Sequence, residues 1–151
     1  MLFWGNERRR RRRYAVDWEG VLEVRFPDLR EEQPVKLADL SGLGARFFVP
    51  RVYAGGRHLF SESRSAHRML RIFAPDASPD ISPDISPDIS IDAPIGLRWY
   101  CWSVDRAAFE TAVEFVRVHP ESRKRLDRIL SGLRRRDGGV RIPLPFPDGG
   151  F

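Results

Sequence analysis

From Val16 to Phe26 the chain alternates, with Val16, Trp18, Leu22, Val24 and Phe26 apolar and Asp17, Glu19, Glu23 and Arg25 between them. Period-two alternation sends the two sets to opposite faces of an extended strand, so one face seeks a core and the other water. Such a strand also needs neighbours on both edges, and the downstream sequence supplies them in short pieces. Phe26-Pro27-Asp28 marks a turn, and the charged segment Leu29 to Gln33 reads as a loop. Val35 to Leu40 and Ala45 to Val49 read as the next two strands, divided by a turn containing Gly42 and Gly44. Pro50 to Gly56 reads as a connection and Arg68 to Phe73 as a fourth strand. Leu97 to Val104 and Phe109 to Val118 follow, on either side of the hairpin-sized gap Asp105-Arg106-Ala107-Ala108. Six short strands with no helix between them predict an all-β barrel or sandwich.

One helix is expected after the strands. Pro120 suits a first helical position, Glu121 follows in the first turn, and Leu126, Ile129, Leu130 and Leu133 recur at helical spacing. Its apolar stripe is expected to cover one end or side of the barrel, leaving Arg123, Lys124, Arg125 and Arg128 facing water. Two segments stand apart from this core. Ser78 to Ile89 is three copies of Ser-Pro-Asp-Ile, running on through Ser90 to Pro94. Its prolines cannot donate to a sheet ladder and its period of four fits no packed repeat, so 76–94 reads as a loop insert between two strands. The stretch after Gly138, with Pro143, Pro145 and Pro147, reads as an extended tail. The expected organisation is an arginine-rich arm over 1–13, a barrel plus helix over 14–133, and a tail over 134–151.

Charge narrows the function classes. The 151 residues carry 26 basic and 21 acidic side chains, a formal charge of +5. The run Arg8 to Arg13 accounts for more than that whole excess, so the body is close to neutral. A general nucleic-acid coat would spread its charge over a face, whereas this pattern points to one concentrated anion-binding element. A hydrophobic fraction of 42% excludes a wholly disordered chain. Cys101 is the single cysteine, which excludes an intrachain disulfide and a thiolate metal cluster. No stretch reaches the roughly 18 apolar residues of a membrane span, and Met1-Leu2-Phe3-Trp4 places its apolar residues before the positive charges, unlike a secretory signal. The expected location is the cytoplasm.

Catalytic constellations are scarce. His58, His67 and His119 lack metal-ligand spacing and read as surface or satisfied histidines. Cys101, among aromatic neighbours on an alternating strand, is expected to be a buried, inert thiol. No enzyme, metal or cofactor is expected. Two clusters carry other chemistry. Arginines donate in a rigid fork that suits phosphate oxygens and the O6/N7 edge of guanine, so Arg8 to Arg13 ahead of Tyr14 can clamp a guanine nucleotide. In Asp39-Leu40-Ser41-Gly42-Leu43-Gly44 the carboxylate can accept from the N1–H and N2–H₂ edge of guanine. Ser41 is expected on the same side of the strand, and Gly44 to permit positive φ or a close approach of ligand to backbone.

Taken in order, Arg9-x-x-x-Arg13-Tyr14, an alternating strand, then Asp39-x-Ser41-x-x-Gly44 resembles the PilZ domain family, receptors for the bacterial second messenger cyclic di-GMP. Leu97 to Trp102 and Ala112 to Phe115 are similar to later strands of that family. The resemblance covers about Glu7 to Leu133. It implies a six-stranded antiparallel β-barrel with a C-terminal helix that binds cyclic di-GMP on its outer surface. By the same resemblance Arg9 and Arg13 hold phosphates and guanine edges, Asp39 and Ser41 hydrogen-bond a guanine, and Gly44 leaves room. Arg8, Arg12 and Arg46 are auxiliary candidates. Arg8 with Arg12 also fits the spacing, but Arg9 with Arg13 places the aromatic Tyr14 where the family commonly has one. The implied role is a non-enzymatic receptor whose arm folds over the ligand and presents a surface to a downstream protein in motility, adhesion or polysaccharide export. The competing readings are a single-stranded nucleic-acid-binding barrel with a polybasic arm and an interaction domain with degenerate motifs.

Overall fold

The computed structural model describes residues 12–54, 56–60, 66–75 and 89–136. The alternating opening segment is strand β1 (Tyr14–Arg25), followed by β2 (Arg30–Leu40) and β3 (Gly44–Val49). A small ribbon comes next, β4 (Tyr53–Ala54) with β5 (Arg57–His58). Then come β6 (His67–Ala74), β7 (Ile89–Ser103), β8 (Ala108–Phe115) and helix α1 (Pro120–Arg136). The main strands close into one antiparallel barrel in the order β1-β2-β3-β8-β7-β6, with β6 returning to β1. Closure gives every main strand a neighbour on both sides along at least part of its length, which protects the edges of the wall.

The inward positions follow the expected alternation. Leu22, Val24, Leu37, Leu40, Phe47, Val49, Leu70, Ile72, Ile91 and Val113 are buried in one core. Leu126 and Ile129 of α1 join that core, so the helix caps the barrel through the stripe read from its spacing. Arg123 departs from expectation. Instead of facing water it donates to the carbonyl of Gly42 at 2.6 Å, tying the first turn of the helix to the β2–β3 turn. Arg125 also reaches back, to the Ser90 carbonyl at 3.2 Å.

Two strand boundaries are corrected. The charged segment expected as a loop over Leu29 to Gln33 belongs to β2 from Arg30 onward, paired residue by residue with β1 from Arg25↔Arg30 to Leu22↔Gln33. Its charges are accommodated because Arg30 bonds the carboxylates of Glu23 and Glu32 on the outer surface of the sheet. The insert expected over 76–94 ends earlier, since residues 89–94 form the first part of β7 against β6. Ile91, Ala93 and Ile95 point inward there, an alternation concealed by the repeat that runs into it. Pro94 is tolerated because the β6 ladder ends at Met69↔Pro94 and the β8 ladder begins at Ile95↔Phe115, so its missing N–H falls where two ladders stop. The Ser-Pro-Asp-Ile copies up to Asp88, the arm before Arg12 and the tail after Arg136 lie outside the described residues.

Cys101 is also corrected, being exposed rather than buried. Past Pro94 strand β7 keeps β8 on one side only among the described residues, and its register slips between Leu97 and Trp99. Trp99, Tyr100 and Trp102 are therefore exposed together with Cys101 on both faces of the strand.

Candidate functional site

Pairing of Tyr14 with Leu40 and Ala15 with Asp39 brings the start of β1 to the end of β2. Arg13, one residue before β1, therefore stands beside the Asp39 side chain, and its guanidinium donates to Asp39 Oδ2 at 2.9 Å. Across the other edge of β2, Asp39 pairs with Arg46 of β3, whose Nε donates to the same oxygen at 2.8 Å. The far end of the Arg46 guanidinium donates to Glu110 of β8. Burial disfavours the charge on Arg46, yet the hydrogen bonds it donates to Glu110 and Asp39 outweigh that and hold its pKa above the ordinary arginine value.

The consequence sits on Asp39. Its side chain is only 8% exposed, and both arginines use one oxygen. Oδ1 is buried and has no hydrogen-bond partner among the described residues. A buried acceptor left unfilled costs about 1–3 kcal/mol, more when it is charged, so this oxygen favours any donor brought to it.

The neighbouring turn is built by Ser41 and Gly44. The Ser41 hydroxyl accepts from the N–H groups of Leu43 and Gly44, both at 3.1 Å, and donates to the Gly44 carbonyl at 3.3 Å. It is buried inside the turn, a local serine motif that fixes the β2–β3 connection. Gly44 does not show the positive φ considered for it. A Cβ there would lie 2.1 Å from the Val113 carbonyl oxygen, so the close approach that requires glycine is to β8. The room is taken by the barrel wall.

Of the residues singled out from the sequence, the structure brings Arg13, Asp39 and Arg46 into one contact network and places Ser41 and Gly44 in the adjoining turn. Arg12 lies apart, with its guanidinium 5.9 Å from the centroid of the Tyr14 ring. Arg8 and Arg9 lie outside the described residues. Sequence reasoning missed Glu110 and Arg123. Glu110 alternates outward between Phe109 and Thr111, but nothing local says that β8 lies beside β3. His58 is buried, accepting from the Phe60 N–H at 3.1 Å with Tyr100 Oη 3.0 Å from its other nitrogen, and His119 accepts from the Glu121 N–H at the helix start. Among the described residues no cluster of His, Cys, Asp or Glu could hold a metal ion, and no helix is long and apolar enough to cross a membrane.

No protein-family model and no curated protein matches the chain. Solved structures do. The structure of the Bacillus subtilis inhibitor of motility (MotI/DgrA) is 16% identical, with a TM-score of 0.54 over 87% of this chain and 53% of that one. This chain thus spans about half the length of that protein. The PilZ domain with c-di-GMP of YcgR from Escherichia coli is 15% identical, with a TM-score of 0.45 over 85% of this chain and 95% of that one. The likeness to the motility inhibitor is one of fold, a closed six-stranded antiparallel barrel followed by one helix. At these identities the likeness concerns the fold alone, and the barrel here places Arg13, Asp39 and Arg46 together on its outer surface.

Proposed function

We propose that the chain is a non-enzymatic receptor for cyclic di-GMP, bound where the arginine arm meets the end of β2. The observation that carries this reading is the Asp39 carboxylate, nine-tenths buried, flanked by two guanidiniums and left with one oxygen unfilled. A guanine presents N1–H and N2–H₂, the paired donors that such an oxygen lacks, while its O6 and N7 face outward to accept from arginine. The ligand's phosphates complete the match to the arm. Arg13 reaches either target by a side-chain swing, and Arg9 with its neighbours supplies further forks.

Six adjacent like charges repel one another, and a bound dianion relieves that repulsion. Arm closure then becomes the switch, at an ordering cost that lowers net affinity. The closed arm and the β2–β3 turn together form the surface offered to a downstream protein. Motility is the first output to test, because the Bacillus subtilis structure with this fold is an inhibitor of motility.

The test compares cyclic di-GMP with a single-stranded oligonucleotide at low and high salt. A receptor holding one dianion keeps cyclic di-GMP with a shallow salt slope and prefers it to the oligonucleotide. A polyanion grip instead favours the oligonucleotide and weakens steeply, since each neutralised phosphate adds roughly 0.7 to the slope for single strands. That second result would remove the receptor reading.

A further inference from the structure

The outer face that holds Asp39 and Arg46 continues along β3 to an aromatic platform. Arg46 and Phe48 are two residues apart and both point outward, so they lie about 6.6 Å apart along the strand. Lys36 is directly opposite Phe48 on β2. Arg106, from the β7–β8 turn, folds over the same ring with its guanidinium carbon 5.0 Å from the centroid. Two shallow hollows of about 280 and 380 Å³ open here, with Lys36, Phe48 and Arg106 in the walls of both. Arg46 lines the smaller one, which joins it to the Asp39 network.

Three features of this place suit a planar anion. Phe48 is half-buried, so its ring is held in position and offers one face. The Arg106 guanidinium makes no ion pair among the described residues, although acidic side chains pair most of the arginines on this barrel. Among the described residues Lys36 is matched by Asp17, itself 85% exposed, a surface pair that exchanges readily for a phosphate. A flat base gains from both a ring and a guanidinium, which stack on it without reading its edge.

We propose that Phe48 and Arg106 form a stacking subsite for a purine base carrying phosphate, with Lys36 taking up the negative charge. The identity of the purine rests on the receptor reading above, in which it is the second base of cyclic di-GMP or the base of a separate guanine nucleotide. One base then sits at Asp39 and another is clasped on the platform. A base entering between ring and guanidinium lifts Arg106, and with it the β7–β8 turn, away from the Phe48 ring it now covers.

The test records NMR spectra of the full chain with cyclic di-GMP and with GMP, following the Phe48 ring and the Arg106 side-chain N–H, and repeats the titrations on Phe48→Leu and Arg106→Gln. Arg106 is exposed in a turn, so Arg106→Gln keeps the fold even if Phe48→Leu loosens the strand. The expected result is movement of both signals with cyclic di-GMP and roughly 5- to 150-fold weaker binding in each variant, the effect of losing a stacking partner. Movement with GMP alone shows that the subsite takes a separate nucleotide. Unmoved signals with both nucleotides, or wild-type affinity in both variants, overturn the subsite as a purely structural cation–ring contact. Binding lost in Asp39→Ala but unchanged in these variants overturns the subsite and keeps the receptor reading. Phe48 shifts with GMP, together with no calorimetric binding of cyclic di-GMP to the full chain, keep the subsite and remove that reading.

Discussion

Asp39 accepts from Arg13 and Arg46 on one carboxylate oxygen and from no described residue on the other. This asymmetry distinguishes it from an ordinary ion pair, in which both oxygens would be filled or wet. Its two neighbours in the motif behave differently. Ser41 closes the turn with its hydroxyl, and Gly44 lets β8 approach. An alanine at Gly44 forces its Cβ into the Val113 backbone, where nothing flexible can yield. Gly44→Ala is therefore expected to cost about 1–3 kcal/mol in ligand-free protein, read as a lower urea midpoint. Unchanged stability would mean that the glycine serves something other than the barrel wall. Asp39 and Arg13 were legible as chemistry in the sequence. Arg46 was only an auxiliary candidate, because its closeness to Asp39 comes from cross-strand pairing rather than from spacing. The structural duties of Ser41 and Gly44 were hidden by the same fact.

At the scale of elements, alternation served well wherever it was uninterrupted. β1, β3, β6 and α1 lie within a few residues of their expected limits. β2 and β7 begin earlier than expected for opposite reasons. In β2 a run of charges imitates a loop although Gln33 and Val35 face inward. In β7 the inward Ile91 and Ala93 continue a proline-containing repeat without a break. The second half of β7 shows a further limit of periodicity, since Trp99, Tyr100, Cys101 and Trp102 extend beyond the two-sided ladder and alternation no longer separates inside from outside. Cys101 is accordingly expected to react with a thiol reagent at one equivalent in native protein, without denaturant. A thiol that labels only on unfolding would return it to the interior.

For the whole molecule, charge and topology act together. The +5 of the chain is concentrated just ahead of β1, and barrel closure places the first residue of β1 against the last of β2. Arg13, the last of the arginine run, is thereby delivered to Asp39, a buried carboxylate with one oxygen unpartnered among the described residues. Arg123 adds a mechanical link, because its bond to the Gly42 carbonyl joins helix α1 to the turn beneath the site. Net charge by itself suggested only a polyanion. The arrangement of Arg13, Asp39 and Arg46 supports the narrower proposal of a small ligand with both guanine edges and phosphates. The measurement that bears most directly on this account is calorimetric titration of cyclic di-GMP into the full chain and into Arg13→Ala and Asp39→Ala. The account predicts saturable binding by the wild type and at least about tenfold weaker binding by each variant, the loss of one charge-assisted hydrogen bond. Tight binding that survives both substitutions would contradict it.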